Sequence, residues 1–232
     1  MNDLSNKQKI ISYVLKGIVF LSALVGTILS AIASSNAFMG GETVFMYFTI
    51  QSNIAIAIIC LIGAILIIRN KNINYIWLVI KLVGTVAITL TGVVFCFVLA
   101  PTMGGNAFGL SNVLTHVIVP VESIIDFFIV ANIIKYRKID ILFVIIPPLL
   151  YAIYADIGFV ANWNFGAGNN YPYFFLNWGS EAGAFGFSSE LPFIGTMWWI
   201  LLLLMFLIGV GLLYTSLNNI IRNKLNKTID AE

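Results

Sequence analysis

Six apolar runs, each long enough to cross a bilayer as a helix, leave this chain little choice of fold. They are Ile11–Ala33, Phe45–Ile68, Trp77–Leu99, Asn112–Ile134, Ile141–Ala161 and Ile194–Leu217. About 20 residues rising 1.5 Å each cover about 30 Å of hydrocarbon. A barrel would show polar and apolar residues in alternation, whereas these runs are continuous Ile, Leu, Val and Phe. With 60% hydrophobic residues, 9% charged residues and a mean hydropathy of +0.98, residues 1–232 read as one all-α domain. The expected architecture is an integral membrane bundle of six transmembrane helices.

The basic residues divide such a bundle into two ends. Lys7, Lys9 and Lys16 precede or just enter span one, and Arg69 and Lys71 join spans two and three. Lys135, Arg137 and Lys138 join spans four and five, Arg222, Lys224 and Lys227 follow span six, and Lys81 is near enough to the start of span three to snorkel. All 12 Lys and Arg fall on one side, which the positive-inside rule makes cytoplasmic. The expectation is a multi-pass protein of the cell membrane with both termini in the cytoplasm. The net charge of +2 follows from this bias and argues against a nucleic-acid partner. Span one is longer than the apolar core of a signal peptide and five spans follow it, so it reads as a retained helix. Cys60 and Cys96 lie at different depths of different spans and read as free packing residues. No zinc spacing, phosphate loop, dinucleotide fingerprint or clear internal repeat is present, so neither a metal nor an organic cofactor is expected.

The opposite end differs in kind. Its longest connection, Asn162 to Phe193, holds ten aromatic residues, five glycines and two acids, with no Lys or Arg. That much ring surface belongs in the membrane interface. Two readings stand: an ordinary aromatic belt, or a lid (Tyr171, Pro172, Tyr173, Phe174 through Trp178) folded over spans two and four and walling an apolar tunnel for an acyl chain.

Polar residues gather at one depth below that end. Span two enters with Thr49, Gln51, Ser52 and Asn53, and span four enters with His116, the only histidine. Thr49 and His116 both lie roughly 5–8 Å inside the boundary. A hydroxyl and an imidazole in one dry layer suit a nucleophile and its base. Asn53, one turn below Thr49, can donate to His116 or to an oxyanion, and Asp156 of span five is the candidate to orient the ring. Pro120 is expected to kink span four and free a carbonyl near His116. The competing explanation for the same residues is helix-to-helix hydrogen bonding. Deeper in span four, Glu122 and Asp126 share a face; Asp126 can pair with Lys81 or stay protonated, and His116–Glu122–Asp126 can form a proton or ion path.

Three segments carry a family resemblance: Tyr47-Phe48-Thr49-Ile50-Gln51-Ser52-Asn53; His116 with Pro120 and Asp126; and Tyr171-Pro172-Tyr173-Phe174-Phe175-Leu176-Asn177. In order, spacing and six-span plan the chain resembles the androgen-induced / androgen-dependent TFPI-regulating protein family, its bacterial members especially. Those members carry Pro and Asp where this chain has Phe174 and Asn177. Animal members hydrolyse fatty acid esters of hydroxy fatty acids with an intramembrane threonine nucleophile and a histidine for acid/base work. By position Thr49 is similar to that threonine and His116 to that histidine. The resemblance thus implies a membrane hydrolase acting on an acyl-chain lipid ester. The alternative is a non-enzymatic small transporter or lipid-binding membrane protein built around the His/Glu/Asp path.

Overall fold

The structure is a computed structural model that describes residues 4–33, 41–71, 73–103 and 107–229, apart from the side chains of 132 and 226–229. Helices α1 (Asn6–Ile32), α2 (Phe48–Ile68), α3 (Tyr75–Thr102), α4 (Leu110–Val130), α5 (Lys138–Val160) and α6 (Thr196–Ile229) each have the length and apolarity to cross a membrane. Among the described residues there is no strand. The chain is a multi-pass, all-α membrane protein whose medium is a lipid bilayer.

Helix ends follow local chemistry more closely than hydropathy does. A reciprocal Ser5–Gln8 capping box starts α1 well before its apolar run, and the Asn74 side chain caps α3 by accepting from Trp77 N–H at 2.8 Å. Phe45 belongs not to α2 but to a 3₁₀ turn, Gly41–Met46, in front of it. Past Val130, α4 tightens into the 3₁₀ turn Ala131–Ile133. Beyond Leu217, α6 runs on through Asn218, Asn219 and Arg222, because hydropathy senses the hydrocarbon and not the last backbone hydrogen bond.

The most buried span is α3, which touches α2, α4, α5 and α6, while α1 packs on α2 and α4. Lipid tails are as apolar as the helices, so tight packing holds spans together, and small residues sit where backbones meet. A Cβ on Gly26 of α1 would fall 2.6 Å from Thr115 Cγ2. One on Gly92 of α3 would fall 2.9 Å from the His116 carbonyl oxygen and 3.1 Å from Pro120 Cγ. Gly92→Ala should therefore push α3 off α4, and we expect it to cost about 1–3 kcal/mol. A thermal midpoint in detergent equal to that of the parent would show that the crossing yields freely.

The connection between α5 and α6 closes the end of the bundle opposite the basic residues. Tyr173, Phe175 and Leu176 are buried there in one cluster with Tyr47, Ile50, Phe95, Leu99 and Tyr151. At the basic end Asp140 accepts from Tyr75 Oη and from Arg137 (Nη2 at 3.1 Å), and Tyr136 Oη donates to the Leu78 carbonyl at 3.0 Å. These contacts fasten the start of α5 to α3.

Candidate functional site

Two helices each widen into a single π turn to build the polar layer. In α4 a π turn, Leu114–Ile118, sends Val119 N–H five residues back to the Leu114 carbonyl. The next residue, Pro120, has no N–H, so the Thr115 carbonyl is left without a helical partner. Asn53 of α2 takes that carbonyl: its Nδ2 donates to Thr115 O at 3.1 Å and to Thr49 O at 2.8 Å. Ser52 Oγ lies 3.0 Å from the same Thr49 carbonyl and 2.7 Å from Thr91 Oγ1 of α3. A second π turn, Phe95–Leu99, followed by Pro101, ends α3 at this level. Thr49, Ser52, Asn53, Thr91 and Thr115 are thus joined in one hydrogen-bonded layer across α2, α3 and α4.

His116 stands at its edge, 2% exposed, with its ring stacked on Phe95 at 3.9 Å. Its tautomer follows from its partners. Thr115 Oγ1 gives its one proton to the Ser111 carbonyl at 2.8 Å, so toward His116 Nδ1, 2.9 Å away, it can only accept. The Asn112 carbonyl, 3.1 Å from Nδ1, also only accepts. In the neutral ring Nδ1 therefore carries the hydrogen and Nε2 the lone pair. That lone pair is buried and has no partner among the described residues, and neither has Asn53 Oδ1.

Thr49 is 4% exposed, but its hydroxyl does not meet His116. It lies 3.5 Å from the Tyr173 hydroxyl, which also accepts from Thr49 N–H at 3.4 Å. Burial pushes the Tyr173 phenol pKa up, so this group stays protonated and can donate. Thr49, Thr91, Tyr151 and Tyr173 border a cavity of about 70 Å³ whose other walls are almost wholly apolar.

Several expectations meet a different arrangement. Asp156 does not orient His116; its Oδ1 accepts from Trp178 Nε1 at 2.7 Å, and the Asn112 carbonyl holds the ring instead. Asn53 bonds two backbone carbonyls rather than the imidazole. The aromatic segment does fold inward, onto Tyr47 and Thr49 of span two as expected, and onto Tyr151 of α5 and Trp199 of α6 in place of the expected span four. It does not wall an acyl-chain tunnel at Thr49, where about 70 Å³ is far below the several hundred Å³ of a lipid-sized pocket. Phe174 packs edge-on to Trp199, and Tyr171 and Pro172 border a separate opening of about 350 Å³ at the aromatic end.

Toward the basic end lies a second polar centre. Asp126, fully buried, is held by Lys81 of α3 at 2.7 Å and by Lys16 of α1 at 2.6 Å. Ser12 Oγ donates to it at 2.7 Å, and Lys81 Nζ is 3.6 Å from Cys60 Sγ. Lys81 is buried and does not snorkel to the boundary, and beside it lies Lys16, which the sequence places just inside span one. Lys16 shares the buried face Ser12, Leu15, Lys16, Val19, Ala23, and that periodicity is the signal that marks it as interior. Glu122 is half-buried and makes no hydrogen bond or ion pair among the described residues, so nothing there links His116 to Asp126. No group of three or more His, Cys, Asp or Glu among the described residues is placed to hold a metal ion. Comparison of the chain with family models, with curated proteins and with solved structures finds no match.

Proposed function

We propose that this protein is an intramembrane hydrolase of carboxylic esters of acyl-chain lipids, with Thr49 as nucleophile and His116 as general base and acid. The observation that carries the reading is the buried Nε2 lone pair of His116, held by its Nδ1 contacts beside a layer that contains a buried threonine hydroxyl at a cavity. Thr49 Oγ1 attacks the ester carbonyl and its proton passes to His116 Nε2. The C–O bond breaks, the leaving alkoxide takes that proton, and an acyl-threonine remains. Water then attacks the acyl group, gives a proton to His116, and Thr49 Oγ recovers it as the fatty acid departs. Tyr173, a neutral phenol beside Thr49, donates to the developing oxyanion. By the positive-inside rule the basic end faces the cytoplasm of the cell membrane, so this site opens near the outer leaflet. Reaction requires Thr49 to turn from Tyr173 toward the imidazole, since hydrogen bonds of this kind commonly tighten only with substrate bound.

Labelling with a serine/threonine-hydrolase activity probe tests the assignment: the parent should label, and Thr49→Ala should not. Labelling that persists in both Thr49→Ala and His116→Ala would overturn it. Tyr173→Phe keeps the ring stack on Phe175 (5.1 Å, 3°) and removes the hydroxyl, both the donor to the oxyanion and the acceptor for Thr49 N–H. We expect kcat to fall about 10²-fold, with stability lowered by no more than about 1 kcal/mol. An unaltered kcat would remove Tyr173 from the oxyanion role.

A second reading, a small ion- or proton-coupled transporter, is favoured by the Lys16–Asp126–Lys81 centre, which ester hydrolysis does not need. It predicts uptake into vesicles, driven by a pH gradient, that Thr49→Ala leaves intact and Lys81→Met abolishes.

A further inference from the structure

The cavity at Thr49 has no room for an acyl chain, but a groove of about 640 Å³ lies beside it. The groove follows α3 between α2 and α5. Its floor is Ile76, Val79, Ile80, Val83 and Ala87, one face of α3 at helical spacing. Ile76 and Ile80 are exposed, so the groove faces the bilayer and not the bundle axis. Polar groups stand only at its ends: Gln51 and Ser52 toward the aromatic end, and Tyr75 with the Arg137–Asp140 pair toward the basic end. From Ala87 to Tyr75 it runs about 18 Å along the helix. Phe48 borders both spaces, and Ser52 of the groove bonds Thr91 of the cavity at 2.7 Å. Phe48 thus stands between the two spaces, one residue from Thr49.

We propose that this groove is the acyl-chain subsite and Phe48 its gate: a lipid enters sideways from the bilayer, lays its chain along α3, and passes its ester carbonyl by Phe48 to Thr49. The gate and the reaction rest on the hydrolase reading above; occupancy of the groove by an acyl chain does not. Chain and bilayer are equally apolar, so there is no hydrophobic gain in entering, and fit decides which lipid binds. The far end sets that fit. A chain longer than the groove presses its methyl terminus on Arg137, Asp140 and Tyr75, while a shorter one leaves apolar wall uncovered.

Hydrolysis of p-nitrophenyl esters from butyrate to palmitate by protein in lipid nanodiscs tests this as a ruler. Val83→Phe should lower palmitate turnover by about tenfold or more and leave butyrate within about twofold. Val79→Phe lies one helical turn, about 6 Å, farther from Thr49, so its loss should begin only at longer chains. A folding defect cannot produce that stagger, and equal losses across chain length in both variants would overturn the gate-and-groove route. Independently, a phospholipid with a diazirine in its acyl chain should label the Val79–Val83 stretch of Thr49→Ala protein, and excess unlabelled palmitoyl ester should compete it away. Labelling spread evenly over the lipid-facing side of α6 would overturn the subsite. If the parent cleaves none of the esters, the hydrolase reading falls and photolabelling alone decides the groove.

Discussion

Asp126→Asn should lower stability in detergent by about 3–5 kcal/mol, the loss expected when one partner of a buried ion pair is removed and its counter-charge stays behind. Here the effect is compounded, because the carboxylate lies between two ammonium groups, Lys16 at 2.6 Å and Lys81 at 2.7 Å, neither more than 5% exposed. Without it, two cations face each other in a low-dielectric layer, where their repulsion is only weakly screened. The three residues are unequal in a way that can be checked. Lys81→Met leaves a one-to-one Lys16–Asp126 pair that Ser12 still supports, so its cost should stay below about 2 kcal/mol. Replacing all three with apolar residues of like volume should restore most of the loss, since such swaps are often neutral. Thermal unfolding of the four proteins in one detergent provides the comparison. An Asp126→Asn protein within about 1 kcal/mol of the parent would mean that the lysines do not depend on this carboxylate as their common counter-ion.

That centre also shows how far the sequence can be read. The six spans were legible because each writes its own signal, a continuous apolar run, and because twelve basic residues all fall at one end. Depth was legible too, since 1.5 Å per residue places Thr49 and His116 in one layer. Azimuth was not. Whether a side chain points at a neighbour, at lipid or along its own helix depends on which spans are adjacent, and a single sequence does not state adjacency. So Lys81 reads as near enough to the boundary to snorkel, and Lys16 as just entering span one, and both prove to be buried partners of Asp126. Asp156 sits at the right depth to orient His116 and is taken by Trp178 instead. The π turn at Leu114–Ile118 is a second blind spot. It rotates the following part of α4 out of the 3.6-residue register on which any helical-wheel argument depends, and of its causes only Pro120 is visible in advance. For the aromatic connection an inward-folding lid was legible as one of two readings, but not which spans it would meet, because its glycines permit many paths and burial chooses among them.

Thr49→Ala and His116→Gln should each cut hydrolysis of a lipid ester by about 10³–10⁴-fold, and the double variant should be no worse than either single one. Non-additivity is the discriminating part. If Thr49 Oγ1 gives its proton to His116 Nε2 in the transition state, removing either group ends the same step, and the second removal has nothing left to abolish. If instead His116 only props α4 through Asn112 and Thr115, the two losses should multiply, and His116→Gln should also lower the thermal midpoint. Thr49→Ser keeps the hydroxyl and should retain most activity, while His116→Gln keeps a ring-sized polar group without a basic nitrogen. Intact-protein mass spectrometry adds the covalent test. A slowly cleaved ester should leave the mass of one acyl group on the parent and on Thr49→Ser, and none on Thr49→Ala. An acyl adduct on Thr49→Ala would move the nucleophile elsewhere in the layer, with Ser52 and Thr91, bonded to each other at 2.7 Å, the next hydroxyls in line.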